Sequence, residues 1–162
     1  MCSDDKKTLK IRAADYGDID DIKKITHEAF LGYQRISGAE SLDALNETEM
    51  DIENDIDTKF VFVAEYGNVS VGSVRIEILP DDTAYLTRFG IKESCQNSGI
   101  GKAIMNFVDE FMVKKGVKSI CLHTSSKATP MMRFYYGCGF YVKAIDNSRG
   151  YARALMEKEY FG

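Results

Sequence analysis

What the sequence has little of decides its class first. No stretch of the 162 residues approaches the ~18 consecutive apolar positions needed to cross a bilayer, and Met1 to Lys10 lacks the apolar run of a signal peptide. A membrane span is not expected. Only two prolines accompany 13 glycines, while 44% of residues are hydrophobic and 28% charged, so the chain is neither collagen-like nor disordered. The four cysteines, Cys2, Cys95, Cys121 and Cys138, show none of the paired short spacings of zinc or redox sites, and two histidines cannot complete such a set. No metal is expected, and free thiols fit a cytoplasmic protein. Positive charge is scarce too. Lysine and arginine number 21 against 25 acids, a net charge of −4, which argues against a protein that holds nucleic acid by general charge. No linker, repeat or low-complexity tract divides residues 1–162, which are read as a single domain able to bury roughly 70% of its unfolded surface.

The hydrophobic period changes repeatedly along the chain. Thr8 to Ala13 alternates as a first strand, and Asp18 or Asp20 can cap a helix carrying Ile22, Ile25 and Ala29. Leu42, Leu45, Ile52 and Ile56, among carboxylates, predict a second amphipathic helix over Glu40 to Asp57. Lys59 to Tyr66 and Val69 to Leu79 are β-branched and aromatic runs joined by Gly67 and Asn68, a strong hairpin signal. Pro80, Asp81 and Asp82 turn the chain into a third strand, Thr83 to Ile91. Ile100, Ile104, Phe107 and Phe111 mark a helix that Gly116 ends, followed by a strand at Ser119 to His123. Thr129 as N-cap and Pro130 in the first turn begin a short helix ending at Gly137 or Gly139, and Tyr141 to Asp146 with Ala152 to Tyr160 form a closing hairpin. The expected class is α+β with a mixed sheet, in the order β-α-α-β-β-β-α-β-α-β-β. One parallel strand pair would join two antiparallel halves, and it is the expected place for a ligand.

The segment Gln96, Asn97, Ser98, Gly99, Ile100, Gly101 follows a strand and opens a helix. Two glycines let backbone approach a ligand closely, and the first helical turn presents unpaired N–H groups with partial positive charge, so the segment reads as a pyrophosphate cradle with Lys102 at its rim. A Walker loop would need glycine at 96 and a hydroxyl at 103, where Gln96 and Ala103 stand. A dinucleotide fingerprint would need a small residue at 104, where Ile104 stands, and an earlier position in the chain.

Gln96-x-x-Gly99-x-Gly101 after a strand ending in Ile91 resembles the acyl-CoA motif of the GNAT superfamily of N-acetyltransferases. A second match is Arg133 to Phe140, RFYYGCGF, similar to that family's helix-plus-Gly-Phe signature, in which a tyrosine stands five residues before the final Phe; the tyrosine is Tyr135. The order of elements agrees with the family as well. Glu93, Cys95 and Asn97 depart from commoner residues at places where backbone N–H groups do the binding, and Ala128 replaces an asparagine whose side chain usually contacts the cofactor.

The resemblance implies acetyl-CoA as cosubstrate and a GNAT-like acyl-CoA N-acyltransferase fold with a splayed parallel pair. Gly90 would mark the bend there, and the backbone of Phe89, Gly90 and Ile91 would pair with the pantetheine arm. Gln96 to Lys102 would hold the phosphates. Tyr135, protonated at neutral pH, would act as general acid toward the departing thiolate. The acceptor would be a primary amine acting by direct attack, and a base must take its proton; Glu77 and His123 are the candidates. His27 falls on the polar side of its helix. A covalent route through Cys121 or Cys95 is less favoured, because buried cysteines usually pack as small hydrophobes.

Residues 40–57 hold eight acids without one lysine or arginine. This is either a solvated helix face or a wall that attracts a cationic small molecule or a peptide amine. The alternative to catalysis is a non-catalytic acyl-CoA binding or sensing module. Partners expected are acetyl-CoA and an amine, with no nucleic acid and no membrane, in a monomer or homodimer.

Overall fold

Gly67 and Asn68 both adopt positive φ, 60° and 68°, the backbone of a two-residue hairpin turn whose twist matches the strands it joins. They link β2 (Phe60–Tyr66) to β3 (Val69–Ile78), and a turn through Asp82, also at positive φ, leads into β4 (Thr83–Ile91). The computed structural model describes residues 8–160. Cys2 and the first seven residues, read above for a signal peptide, lie outside the described residues. Before the meander come β1 (Leu9–Ala13), α1 (Ile19–Ser37) and α2 (Glu49–Thr58); after it come α3 (Ile100–Lys114), β5 (Ser119–Ser125), α4 (Thr129–Gly137), β6 (Tyr141–Asp146) and β7 (Arg153–Glu159). The strands form one mixed sheet in the order β1-β2-β3-β4-β5-β7-β6. All neighbours are antiparallel except β4 and β5. Among the described residues no helix is long and apolar enough to cross a membrane.

Both faces of the sheet centre are covered, which is why β2 reads as a nearly continuous apolar run. Phe62 and Ala64 join Ile104, Met105, Val108 and Met112 of α3 in the larger core. Val61 and Val63, their alternates, pack with Ile22 of α1 and Ile52 of α2 on the other face. Gly116, at φ 73°, ends α3: the Gly116 N–H donates to Val113 and the Val117 N–H to Met112.

Three expectations are corrected. The helix predicted over Glu40 to Asp57 is a 3-10 turn, Asp43–Asn46, followed by the shorter α2. Thr48 stops the pattern from continuing: its hydroxyl accepts from Asp51 N–H at 3.1 Å while the Asp51 carboxylate accepts from Thr48 N–H at 2.9 Å, so a new helix begins there. Glu47, left in extended backbone, reaches Arg75 instead. The second correction is at α4, where Ala128 holds the cap position and Thr129 is already helical. Third, the bulge in β4 centres on Arg88, at φ 52°, opposite a register shift between Ser73 and Arg75. Gly90 serves another purpose, since a Cβ there would stand 3.0 Å from the Ala29 Cβ of α1.

Candidate active site

The parallel strands are joined at only three rungs, Thr83 with Ser119, Ala84 with Ile120 and Tyr85 with Cys121. Beyond Tyr85, β4 stays on β3 as far as Ile91, and β5 stays on β7 as far as Ser125. The two strands therefore part, leaving one edge of β4 unpaired and opening a cleft of about 1190 Å³ walled by α1, the start of α3 and α4. Phe89, Gly90 and Ile91 line it.

At one end of this cleft the loop before α3 passes through Asn97 at φ 61° and Gly99 at φ 88°. Gly99 is the cap residue without a side chain to bond the helix end, and the first intrahelical bond is from Ala103 N–H to Gly99 at 3.1 Å. The preceding N–H groups of the first turn have no partner within the helix, the arrangement suited to an anion. Gly101 is buried because a Cβ would stand 3.1 Å from Ile91 and 3.3 Å from the Phe134 ring, which itself stacks on Phe89 at 5.5 Å. The Gln96 side chain donates to the Ile91 carbonyl at 3.1 Å and so fixes the loop to the end of β4. Lys102 donates to the Gly137 carbonyl at 2.9 Å, tying α3 to the end of α4. Gln96, Asn97, Gly99, Gly101 and Lys102 line the cleft. Ser98 instead donates to the Cys95 carbonyl and Ile100 turns its side chain into the core, so these two offer only backbone.

Tyr135 lines the middle of the cleft, 4% exposed, with its ring edge-on to Phe134 at 5.4 Å and Phe140 at 5.6 Å. Its hydroxyl bonds to no described residue, and burial holds its pKa above the ordinary phenol value. His123 also lines the cleft, with Nδ1 hydrogen-bonded to the Tyr85 hydroxyl. Burial, and then the charge of Arg153, lower its pKa below 6.5. Glu77 lies exposed on β3 opposite Tyr85 and does not line the cleft. The Cys121 thiol is pushed up to about 11 by burial and by its bond to Glu157, so it is protonated at neutral pH. His27 is exposed.

A cradle for phosphates, an open strand edge and an unbonded phenol thus share one cleft. The model of the acetyltransferase (GNAT) family matches residues 21–140. The chain belongs to the GNAT family of acetyltransferases. It is 27% identical over 143 residues to YyaT of Bacillus subtilis, covering 88% of this chain and 89% of that protein. PaiA N-acetyltransferase from Thermoplasma acidophilum, solved in complex with coenzyme A, superposes with a TM-score of 0.83 at 21% identity over 94% of this chain and 99% of that one. The structure of yncA from Salmonella typhimurium with its cofactor acetyl-CoA gives 0.73 at 17% identity over 96% and 95%.

At the other end of this GNAT cleft stand residues that sequence reasoning missed. Tyr85 is the last residue of β4 paired to β5, and the place where these strands part identifies it only once the register is known. Tyr33 of α1 accepts from Ser125 N–H at 2.7 Å, and Tyr151 lines the same cleft. Arg149 and Arg153 complete this end, and Arg88 also lines the cleft. Of the two readings of residues 40–57, the wall of carboxylates along the cleft is not formed. Glu47 and Asp55 are bonded to the fully buried Arg75, Asp51 caps α2, and Asp57 accepts from Tyr16. Of the eight acids, only Asp43 lines the cleft. Among the described residues no cluster of histidine, cysteine and carboxylates could hold a metal ion.

Proposed function

We propose that the chain is an N-acetyltransferase that moves an acetyl group from acetyl-CoA to a primary amine by direct attack. The observation that carries this reading is the convergence of the α3 cradle, the unpaired edge of β4 and Tyr135 on one cleft. The residues present fit the cosubstrate: N–H groups of the first turn of α3 suit a pyrophosphate, Gly99 and Gly101 keep side chains out of its way, and the backbone of Phe89 to Ile91 suits an amide-bearing arm. Bound there, acetyl-CoA supplies the thioester.

His123 is the base favoured over Glu77, because it lines the cleft and is neutral at pH 7. In the tautomer whose Nδ1–H donates to the Tyr85 oxygen, Nε2 is free to accept the amine proton. The neutral amine then attacks the thioester carbonyl, the C–N bond forms and the C–S bond breaks. Tyr135 donates its proton to the departing sulfur, a role its raised pKa and unbonded hydroxyl support. Protonated Cys121 argues against a covalent acyl-cysteine.

Release of CoA thiol across a panel of amines tests the reading, together with thermal stabilisation by acetyl-CoA but not by ATP or NAD. Stabilisation without thiol release from any amine would leave an acyl-CoA binding module in its place.

A further inference from the structure

Six cationic side chains line the cleft, those of Arg35, Arg88, Lys102, Arg133, Arg149 and Arg153, against the three acids Glu28, Asp43 and Glu93. Lys102 and Arg133 belong to α3 and α4, at the cradle end. Arg149 and Arg153 lie at the opposite end, where Tyr85 and His123 meet, while Arg88 lines the cleft from the bulge of β4. Two guanidiniums beside the point at which an amine must lose its proton repel a second ammonium and suit an anion. The existing partners of the three arginines differ in how firmly they hold. Arg88 shares Glu47 with buried Arg75, at 3.3 Å. Arg153 is bonded to Asp146 at 2.9 Å, and its Nε has no partner. Arg149 reaches Asp43 only at 3.5 Å, with side chains 59% and 81% exposed, an ion pair that contributes little and that a ligand can replace. Tyr33 and Tyr151 also line the cleft, and Tyr151 offers a phenol group near Arg149 and Arg153.

We propose that this end of the cleft selects an amine that also carries a carboxylate, an amino acid-like acceptor, with Arg149 taking the carboxylate and Arg153 supporting it beside the Tyr85–His123 pair. This rests on the acetyltransferase reading for its purpose, though the binding itself does not depend on turnover. A planar guanidinium matches a carboxylate with two parallel hydrogen bonds, and its amide or its decarboxylated counterpart offers no such match. A long diamine, the acceptor that an acidic wall would have favoured, finds three acids against six cations along the cleft, and Asp43 already faces Arg149.

The test compares leucine, methionine and lysine with their carboxamides, and lysine with cadaverine, by calorimetry on the CoA-loaded protein and by CoA release. The free acids should bind at least about tenfold more tightly than the amides, the scale of a charge-assisted pair. Arg149→Gln should reduce that ratio to near one, while Lys114→Gln, at the far end of α3, leaves it unchanged. Equal or tighter binding of the amides or of cadaverine, or no binding of any member, overturns the proposal. So does loss of CoA affinity in Arg149→Gln, which would assign the charge to the cosubstrate. Preferential binding of the acids without CoA release would instead uphold the subsite and overturn the acetyltransferase reading.

Discussion

Tyr135 presents a ring packed among aromatic residues at the wall of the cleft and a hydroxyl free of any hydrogen bond to the described residues, so its proton is available to a group in the cleft. If that group is the departing sulfur, Tyr135→Phe keeps the ring packing and removes only the proton. Turnover should fall by roughly 10²-fold or more, the usual scale of general acid catalysis, with acetyl-CoA affinity unchanged. Turnover within a factor of two of the parent would remove Tyr135 from the chemistry. His123 makes a different demand. Arg153 and Arg149 lower its pKa and Asp146 raises it, while burial, the largest influence, lowers it further. A base must be unprotonated, so kcat/KM should rise with pH along a limb whose midpoint lies below 6.5, and then level off. His123→Gln should abolish that limb with the same acceptor; a limb that survives the substitution would belong to the amine or another group.

The cradle at the start of α3 is an element-scale feature, since no side chain in it is indispensable and its glycines act through what they leave out. Gly101→Ala makes a sharp test because two effects compete. Alanine in a helix is favoured over glycine by up to about 1 kcal/mol, but a Cβ 3.1 Å from Ile91 and 3.3 Å from Phe134 overpacks the site, at a cost of roughly 1–3 kcal/mol. Overpacking should win. The variant should be less stable in urea and bind acetyl-CoA at least tenfold more weakly, because Phe134 can yield only into the cleft or against Phe89. A more stable variant with unchanged affinity would show that the cradle has room to spare. This scale was also the most legible in the sequence. The Gly67–Asn68 hairpin, the strand at Thr83 to Ile91 and the spacing of Ile100, Ile104 and Phe107 are all local signals, with turn chemistry and periodicity acting over a few residues. The acidic stretch was misread for the complementary reason. Whether Glu47 continues a helix or leaves it depends on Arg75, 28 residues away on a strand not yet formed.

At the scale of the whole molecule, Arg75 ties the mobile choices of residues 40–57 to the sheet, and its partner across the chain could not be read from period or composition. The Tyr85–His123 pair, 38 residues apart in sequence, is hidden for the same reason. Arg75 is 0% exposed on β3, bonded to Glu47 at 2.8 Å through one nitrogen and to Asp55 at 2.8 Å through another. Taking three charges out of water is expensive, and their attraction offsets that cost only while the set is complete. Removing one member should therefore hurt more than replacing the set. Glu47→Ala leaves a buried guanidinium with Asp55 alone, and should lower stability by about 3 kcal/mol or more, measured from urea midpoints at unchanged m-value. Arg75→Met added to Glu47→Ala removes the stranded charge and should restore part of the loss. Arg88, which also uses Glu47, lines the cleft, so the same variant should loosen Arg88 and change acceptor binding without touching the α3 cradle. If Glu47→Ala is as stable as the parent, or if the added Arg75→Met makes it worse, then the buried charges are not what holds residues 40–57 against the sheet.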